Sequence, residues 1–314
     1  MTDALREELI ALTCDLVRFE SVAGRPDQLE AVIDYAQAYL AGVPGLFVER
    51  SAADGKPALV VTLRDTREPA LMLNGHLDVV VGRPEQFVPE LRDGRIYGRG
   101  SQDMKGSCAV MLRLIKDLAA LPERPDVGFQ LVTDEEIGGA RGTGRLLAEG
   151  WRCGFMLCLE PTDMGVLFEH KGAMWVELRL PGRPSHGSRP WEGHNPVADL
   201  ARGLAALDAR FPVPDGPDTW QTTVTPTIVQ AGAGSQNQVP PAAGITFDIR
   251  YVSSDTPEQI QAALRECFPT AELVVGSCGP GLYTDPEHPE VCRVADLLAE
   301  RLGRAPRFYR EPFA

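Results

Sequence analysis

A chain of 314 residues, 44% apolar and 24% charged, has the composition of a folded globular protein and enough length for one large or two ordinary domains. Its net charge of −13 argues against a nucleic-acid backbone or an anionic membrane as partner. No apolar run approaches the roughly 20 residues needed to cross a bilayer, and the acidic start from Met1 to Glu8 reads as the beginning of a helix, not as a signal peptide.

In chain order, residues 3–19 and 27–41 read as amphipathic helices joined by Ser21–Pro26. Strands follow at Ala58–Leu63 and Ala70–Asn74, the second running into Gly75-His76-Leu77-Asp78. A Gly-rich approach, Gly98-Arg99-Gly100, leads to Asp103 and a helix over Met104–Leu121, whose apolar stripe is Ala109, Leu112, Ile115 and Leu118 or Ala119. The β-rich run Val127–Thr133 ends in Asp134-Glu135-Glu136, a helix is expected at Gly142–Glu149, and the buried-strand candidate Phe155–Leu159 ends in Glu160-Pro161. This alternation is that of an α/β layer architecture, in which ligands gather beyond the carboxyl ends of the strands.

The rhythm changes after Lys171-Gly172. Ala173–Leu180 alternates as a half-exposed strand, Asn195–Ala209 is a helix, Thr222–Ala231 and Gly244–Tyr251 are strands, and Pro257–Cys267 and Ala271–Val275 give another helix and strand. That order describes a small α+β module with helices on one face of its sheet. Trp191 and the Pro-rich stretch Phe211–Thr219 are expected in its loops, and Pro286–Arg301 returns to a helix of the first type. The domains are therefore predicted as 1–171, an inserted module at 172–281, and a second part of the first domain at 282–314. The seven cysteines are scattered without a CxxC pair, which fits small buried residues in a reducing cytoplasm.

Each acidic or histidine segment also has an ordinary explanation. His76 and Asp78 fit a turn histidine and a capping aspartate, or an imidazole that binds metal through one nitrogen while the carboxylate holds the other. Asp103 could cap the helix that follows it, and Asp134-Glu135-Glu136 could favour a helix dipole. Adjacent glutamates point in different directions, however, so one can bind a metal while its neighbour accepts a proton from a water whose pKa the metal lowers. Together the segments supply one histidine and four acids at separate element ends, the donor set that divalent metals prefer. Asp248 and Arg250 share a sheet face and could form a salt-bridged pair, while His194 and His288 read as surface or capping residues and His170 as structural. Gly98, Gly100 and Gly106 lack the GxGxxG spacing of a dinucleotide-binding dehydrogenase.

Taken together, GHLDVV (75–80), GRGSQDMKG (98–106), TDEEIGG (133–139), LEP (159–161), GRPSHGSRPWEGHNPV (182–197) and NQVPPAAGITFDIR (237–250) resemble the M20 metallopeptidase family, over residues 1 to about 310. That family includes aminoacylases, carboxypeptidase G-type enzymes, acetylornithine deacetylase and succinyl-diaminopimelate desuccinylase. The resemblance implies an α/β zinc-hydrolase catalytic domain with a mixed central sheet, interrupted by a smaller ferredoxin-like lid and dimerisation domain. It implies hydrolysis of the amide bond of an N-acyl amino acid or small dipeptide. His76, Asp103 and Glu160 would hold one Zn2+, and Asp103 would bridge to a second that Glu136 also binds, with Co2+ or Mn2+ as substitutes. Asp78 would orient His76, Glu135 would be the general base, and a cis peptide is expected at Asp103-Met104. His186 would reach the partner subunit's site in a homodimer and stabilise the oxyanion, while Asn237 and Arg250 would contact the carboxylate of a small substrate.

The departure from the family pattern is a last histidine ligand, which the family carries after a further Asp-Ala-Arg-like segment. None of the five histidines occupies that place. This predicts a truncated chain whose second metal is held by Asp103 and Glu136 alone. The alternative is a non-catalytic, metal-binding homologue that acts as a binding or dimerisation module through 172–281.

Overall fold

The computed structural model describes residues 2–216, 219–232 and 234–312. Pro217 and Asp218 of the expected loop at 211–219, and Phe313 and Ala314 of the expected last segment, lie outside the described residues. The chain divides into two compact units, Met1–Asp163 and Met164–Ala314.

The first unit contains helices α1 (Asp3–Val17), α2 (Pro26–Tyr39), α3 (Gly106–Ala119) and α4 (Thr143–Ala148). Its main sheet is built from β1 (Phe47–Ala53), β2 (Lys56–Thr62), β3 (Leu71–His76), β6 (Val127–Val132) and β7 (Phe155–Cys158), in the order β1-β2-β6-β3-β7. A separate hairpin is formed by β4 (Glu90–Arg92) and β5 (Arg95–Tyr97). The sheet is mixed: β3 runs parallel to β6 and β7, while β2 is antiparallel to β1 and β6.

Both faces of this sheet are covered. On one, Leu12 and Leu16 of α1, Val32 and Ile33 of α2 and the stripe Ala109, Leu112, Ile115 and Ala119 of α3 pack on Leu59, Val61, Phe129 and Leu131. On the other, Ala58, Val60, Met72 and Val132 meet Leu146 and Trp151. Two-sided burial explains why β2 is a continuous apolar run with every residue buried. Because β3, β6 and β7 are parallel, their carboxyl ends lie on one side. His76 ends β3, Asp134-Glu135-Glu136 follows β6, and Glu160 follows β7.

Two hairpins absent from the sequence reading carry a readable signal. Asp54-Gly55 between β1 and β2 and Asp93-Gly94 between β4 and β5 all have positive φ (50°, 71°, 52° and 71°). An Asp-Gly pair suits the mirror-image turn that matches the twist of the flanking strands.

The second unit holds a four-stranded antiparallel sheet of β9 (Gly172–Pro181), β10 (Thr223–Ala231), β11 (Ala242–Tyr251) and β12 (Glu272–Gly279), ordered β10-β11-β9-β12. Helices α5 (Pro196–Arg210) and α6 (Pro257–Cys267) cover one face, where Leu200, Leu207, Ile260 and Leu264 pack on Met174, Val176, Leu178, Ile245, Phe247 and Ile249. The alternation expected in β9 is present, with Met174, Val176, Leu178 and Leu180 inward. A second, three-stranded sheet joins β13 (Leu282–Tyr283), β8 (Val166–His170) and β14 (Phe308–Glu311), and α7 (Pro289–Leu302) precedes β14. Neither β8 nor β14 stands out as a strand in the sequence, because neither alternates cleanly. His288 caps α7 by accepting from the Glu290 N–H (3.2 Å), and His194 bonds Asp199 (2.5 Å).

Helix α5 touches the sheet's aromatic core through Gly203, where an added Cβ would lie only 2.1 Å from the edge of the Phe268 ring. Phe268 is in turn packed against Phe247 with ring centroids 5.9 Å apart. Gly203→Ala is expected to destabilise the chain by about 1–3 kcal/mol, the usual overpacking cost. Urea unfolding with an unchanged midpoint would contradict this packing. Among the described residues, no helix is long and apolar enough to cross a membrane.

Candidate metal centre

The site of the first unit grows from three strand ends. At the end of β3, His76 is 1% exposed, and its Nδ1–H donates to the backbone carbonyl of Asp78 (3.0 Å). A carbonyl can only accept, so Nδ1 carries a proton, and Nε2, which faces the Asp103 carboxylate at 3.0 Å, is the nitrogen a cation would take in place of its proton. The Asp78 carboxylate is farther from that nitrogen, at 3.5 Å. It accepts instead from the backbone N–H groups of Glu135 (3.2 Å) and Glu136 (3.1 Å). Asp78 is fully buried, and it ties the His76 turn to the acidic turn after β6.

Asp103 is not the cap of α3, which begins at Gly106 with Lys105 before it. It lies inside the turn Ser101–Lys105 with non-helical angles (φ −116°, ψ 98°), and the Asp103-Met104 peptide is cis. A second feature missed in the sequence holds this turn. Lys105 is completely buried and its Nζ donates to the Phe19 carbonyl (2.8 Å), while burial pulls its pKa down to about 7. Its only sequence signal is a lysine beside Asp103 at the head of an apolar helix. Cys108, also buried, donates from Sγ to the His76 carbonyl (3.1 Å) and backs the site from α3.

Ligand atoms of His76, Asp103 and Glu136 all lie within 4.8 Å of one another. His76 Nε2 is 3.0 Å from Asp103 Oδ1 and 3.8 Å from both Glu135 Oε2 and Glu160 Oε1. Glu136 also accepts from the Val80 N–H (3.1 Å), and Asp134, buried behind the turn, accepts from the Arg141 N–H (2.7 Å).

These groups are electrostatically unbalanced by themselves. Burial and the carboxylates of Asp103 and Glu135 push Glu160 up to about 7. Burial raises Glu135 and Glu136 too, reinforced by neighbouring acids. Burial pulls His76 down, but hydrogen bonds to Asp103 and Asp78 outweigh it and push it up to about 11. Crowded, partly buried acids around one imidazole whose Nδ1 is already committed make a donor set that a divalent cation would balance. The residues therefore fit the metal that their chemistry implies.

The remaining predicted site residues lie in the second unit. Backbone pairing of 185–187 with 237–239 (Gly187 N–H to Asn237 O, 2.7 Å; Val239 N–H to Ser185 O, 2.9 Å) brings His186 Nε2 to 3.4 Å from Asn237 Nδ2. His186 Nδ1 lies against the Ser188 hydroxyl (2.8 Å) and N–H (3.2 Å). Arg250 is bound to Asp248 through both carboxylate oxygens (2.8 and 3.2 Å) and lies over the Trp175 ring at 5.2 Å.

Residues 72–312 match the family described as peptidase family M20/M25/M40. The chain is similar to a succinyl-diaminopimelate desuccinylase of Stenotrophomonas maltophilia strain R551-3, 33% identical over 260 residues, covering 76% of this chain and 69% of that protein. A protein of the same name from Xanthomonas campestris pv. campestris strain B100 is 31% identical over 302 residues, 89% of this chain and 79% of that one. Among solved structures, the aminopeptidase PepT of Bacillus cereus ATCC 10987 superposes with a TM-score of 0.77 at 20% identity, covering 98% of this chain and 85% of that chain. The M20 metallo-carboxypeptidase Sso-CP2 of Sulfolobus solfataricus gives 0.71 at 17% identity, covering 97% and 86%. At these identities the two structures speak for the fold.

Proposed function

Because the chain belongs to peptidase family M20/M25/M40, we propose that it is a cytoplasmic, zinc-dependent hydrolase of the amide bond in an N-acyl amino acid or small dipeptide. The observation that carries this reading is the convergence of His76, Asp103 and Glu136 within 4.8 Å, with the Glu135 carboxylate beside them. The names of the relatives favour an N-succinyl amino acid as the first substrate to test.

His76, Asp103 and Glu160 would hold one zinc, and Asp103 and Glu136 would hold the second; Co2+ or Mn2+ would substitute. Bound zinc would polarise the substrate carbonyl and lower the pKa of water. Glu135 takes the proton of the attacking water and passes it to the leaving amine, a task suited to a carboxylate whose proton affinity is raised by burial and by Asp78 and Glu136. Asp78 fixes the backbone of both glutamates. His186, acting from the second subunit of a homodimer, donates to the tetrahedral oxyanion. Asn237 and Arg250 bind the substrate's carboxylate, which requires Arg250 to share or exchange its Asp248 partner. Residues 172–281 serve as lid and dimerisation domain between the two parts, 1–171 and 282–314, of the catalytic domain.

The test is metal content per chain by elemental analysis after zinc loading, with hydrolysis of succinyl-diaminopimelate followed on the same sample. Two zincs and turnover are expected, with both lost on chelation. At free zinc a hundredfold above its Kd, the metal should also stabilise the fold by about 2.7 kcal/mol. Absence of bound zinc, no thermal shift on chelation and no turnover would overturn the reading.

A further inference from the structure

We propose that the connection between α1 and α2, residues 19–22, is a clasp that sets the separation of the His76 and Asp103 turns, with Lys105 and Ser21 as its positioning residues. This rests on the functional reading above and deepens it by naming side chains outside the ligand set that act on the metal through its ligands.

Asp103 needs such support. Its side chain is 56% exposed, and among the described residues its carboxylate contacts His76 (3.0 Å) and Glu160, both proposed ligands themselves. Its place therefore depends on the backbone of the turn Ser101–Lys105. That backbone is not helical at Asp103 or Met104, so the regular ladder of α3 does not fix it. Two bonds from Lys105 do. Its N–H closes the turn on the Gly100 carbonyl (2.9 Å), and its fully buried side chain reaches across to the Phe19 carbonyl (2.8 Å). Phe19 lies one residue past the C-cap of α1, where the negative end of the helix dipole favours a cation.

The same short segment holds the other turn. Ser21 is fully buried, and its hydroxyl donates to the carbonyl of Leu77, the residue after His76 (2.6 Å). The Ser21 carbonyl accepts from the Val79 N–H (3.0 Å), and Val22 pairs with Val79 as a parallel bridge. Leu77 and Val79 flank Asp78, so the clasp grips this turn on both sides. Main-chain anchors have fewer soft torsions than side chains, and anchors so close in the chain transmit a fixed spacing: His76 Nε2 stands 3.0 Å from Asp103 Oδ1. Metal–ligand distances hold to about 0.2 Å, so a turn that drifts by more than that loses affinity for the ion.

The experiment compares Lys105→Met and Ser21→Ala with Tyr39→Phe. The last removes a different bond of this helix layer, from the Tyr39 hydroxyl to Glu8 (2.7 Å), and belongs to neither ligand turn. Competition titration should show zinc held about 10- to 100-fold more weakly by Lys105→Met, the usual cost of losing a group that orients ligands. Ser21→Ala should fall at the low end of that range, and Tyr39→Phe should bind as tightly as the unmodified chain. The visible spectrum of Co2+-loaded Lys105→Met should also change, because ligand geometry is altered and not stability alone. In the metal-free chain, the His76 ring 15N resonance, identified by its loss in His76→Asn, should move in the Lys105 and Ser21 variants and stay in Tyr39→Phe. If Lys105→Met does not fold, Ser21→Ala decides by the same readouts. Unchanged zinc affinity or an unmoved His76 resonance in a folded variant would overturn the proposal. So would an equal loss in Tyr39→Phe, the mark of general loosening. If the unmodified chain binds neither zinc nor Co2+, the functional reading fails while the His76 resonance still decides the clasp.

Discussion

Glu135→Gln is expected to lower kcat on succinyl-diaminopimelate by about a thousandfold, within the 10²- to 10⁴-fold range of a positioned general base, and to leave the zinc content unchanged. Glu135 and Glu136 are adjacent and both partly buried, yet the metal-type cluster takes in Glu136 with His76 and Asp103. Glu135 reaches the same space, 3.8 Å from His76 Nε2, with its carboxylate oxygen. Its backbone is fixed by the Asp78 carboxylate (3.2 Å), so an isosteric amide should keep the geometry and remove only the proton acceptor. The decisive comparison is between the two glutamates. Glu136→Gln should lose metal as well as turnover, and equal zinc loss in both variants would show that Glu135 is a ligand and not the base.

The second large effect is expected at a residue in the heart of the turn. Asp78→Ala should weaken zinc binding about 10- to 100-fold, the usual cost of removing a group that orients metal ligands, and should also destabilise the metal-free fold by about 2–4 kcal/mol. The stability loss follows from the two backbone N–H groups, of Glu135 and Glu136, that the carboxylate satisfies at 3.2 and 3.1 Å. Donors left without a partner in a buried setting cost about 1–3 kcal/mol each. Asp78→Asn, which keeps one accepting oxygen, should fall between. Zinc competition titration and urea unfolding measure the two effects separately. A variant weakened in zinc affinity alone, with unchanged unfolding, would mean that the carboxylate acts on His76 and not on the acidic turn.

That distinction could not be drawn from the sequence. The spacing of His76 and Asp78 points to an aspartate that holds an imidazole, and the imidazole is indeed held within this turn, by the Asp78 carbonyl at 3.0 Å. The carboxylate crosses to another strand end, 57 residues away in the chain. Likewise, Asp103 at the head of an apolar periodic run reads as a possible cap, whereas the helix begins three residues later, at Gly106. Helix periodicity finds the stripe Ala109, Leu112, Ile115 and Ala119 correctly, but the first turn of a helix is set by local backbone angles to which the stripe is blind. Strands β8 and β14 are hidden for a related reason: they pair with each other in parallel across more than a hundred residues, and strands this short carry little periodic signal.

By itself the sequence determined the class of the protein. Periodicity and donor chemistry, which are local and survive in a string of letters, gave the α/β layers and the acids and histidine at element ends, and the motifs around His76, Asp103, Glu136 and Glu160 carried the resemblance to the M20 family that the family match shows. Tertiary structure decided the rest. The order β1-β2-β6-β3-β7 brings the ends of β3, β6 and β7 side by side, and the Asp78 carboxylate settles on the Glu135 and Glu136 amides. These depend on which distant segments pack together, and the strength of a charge or a hydrogen bond is set by the surroundings that such packing creates.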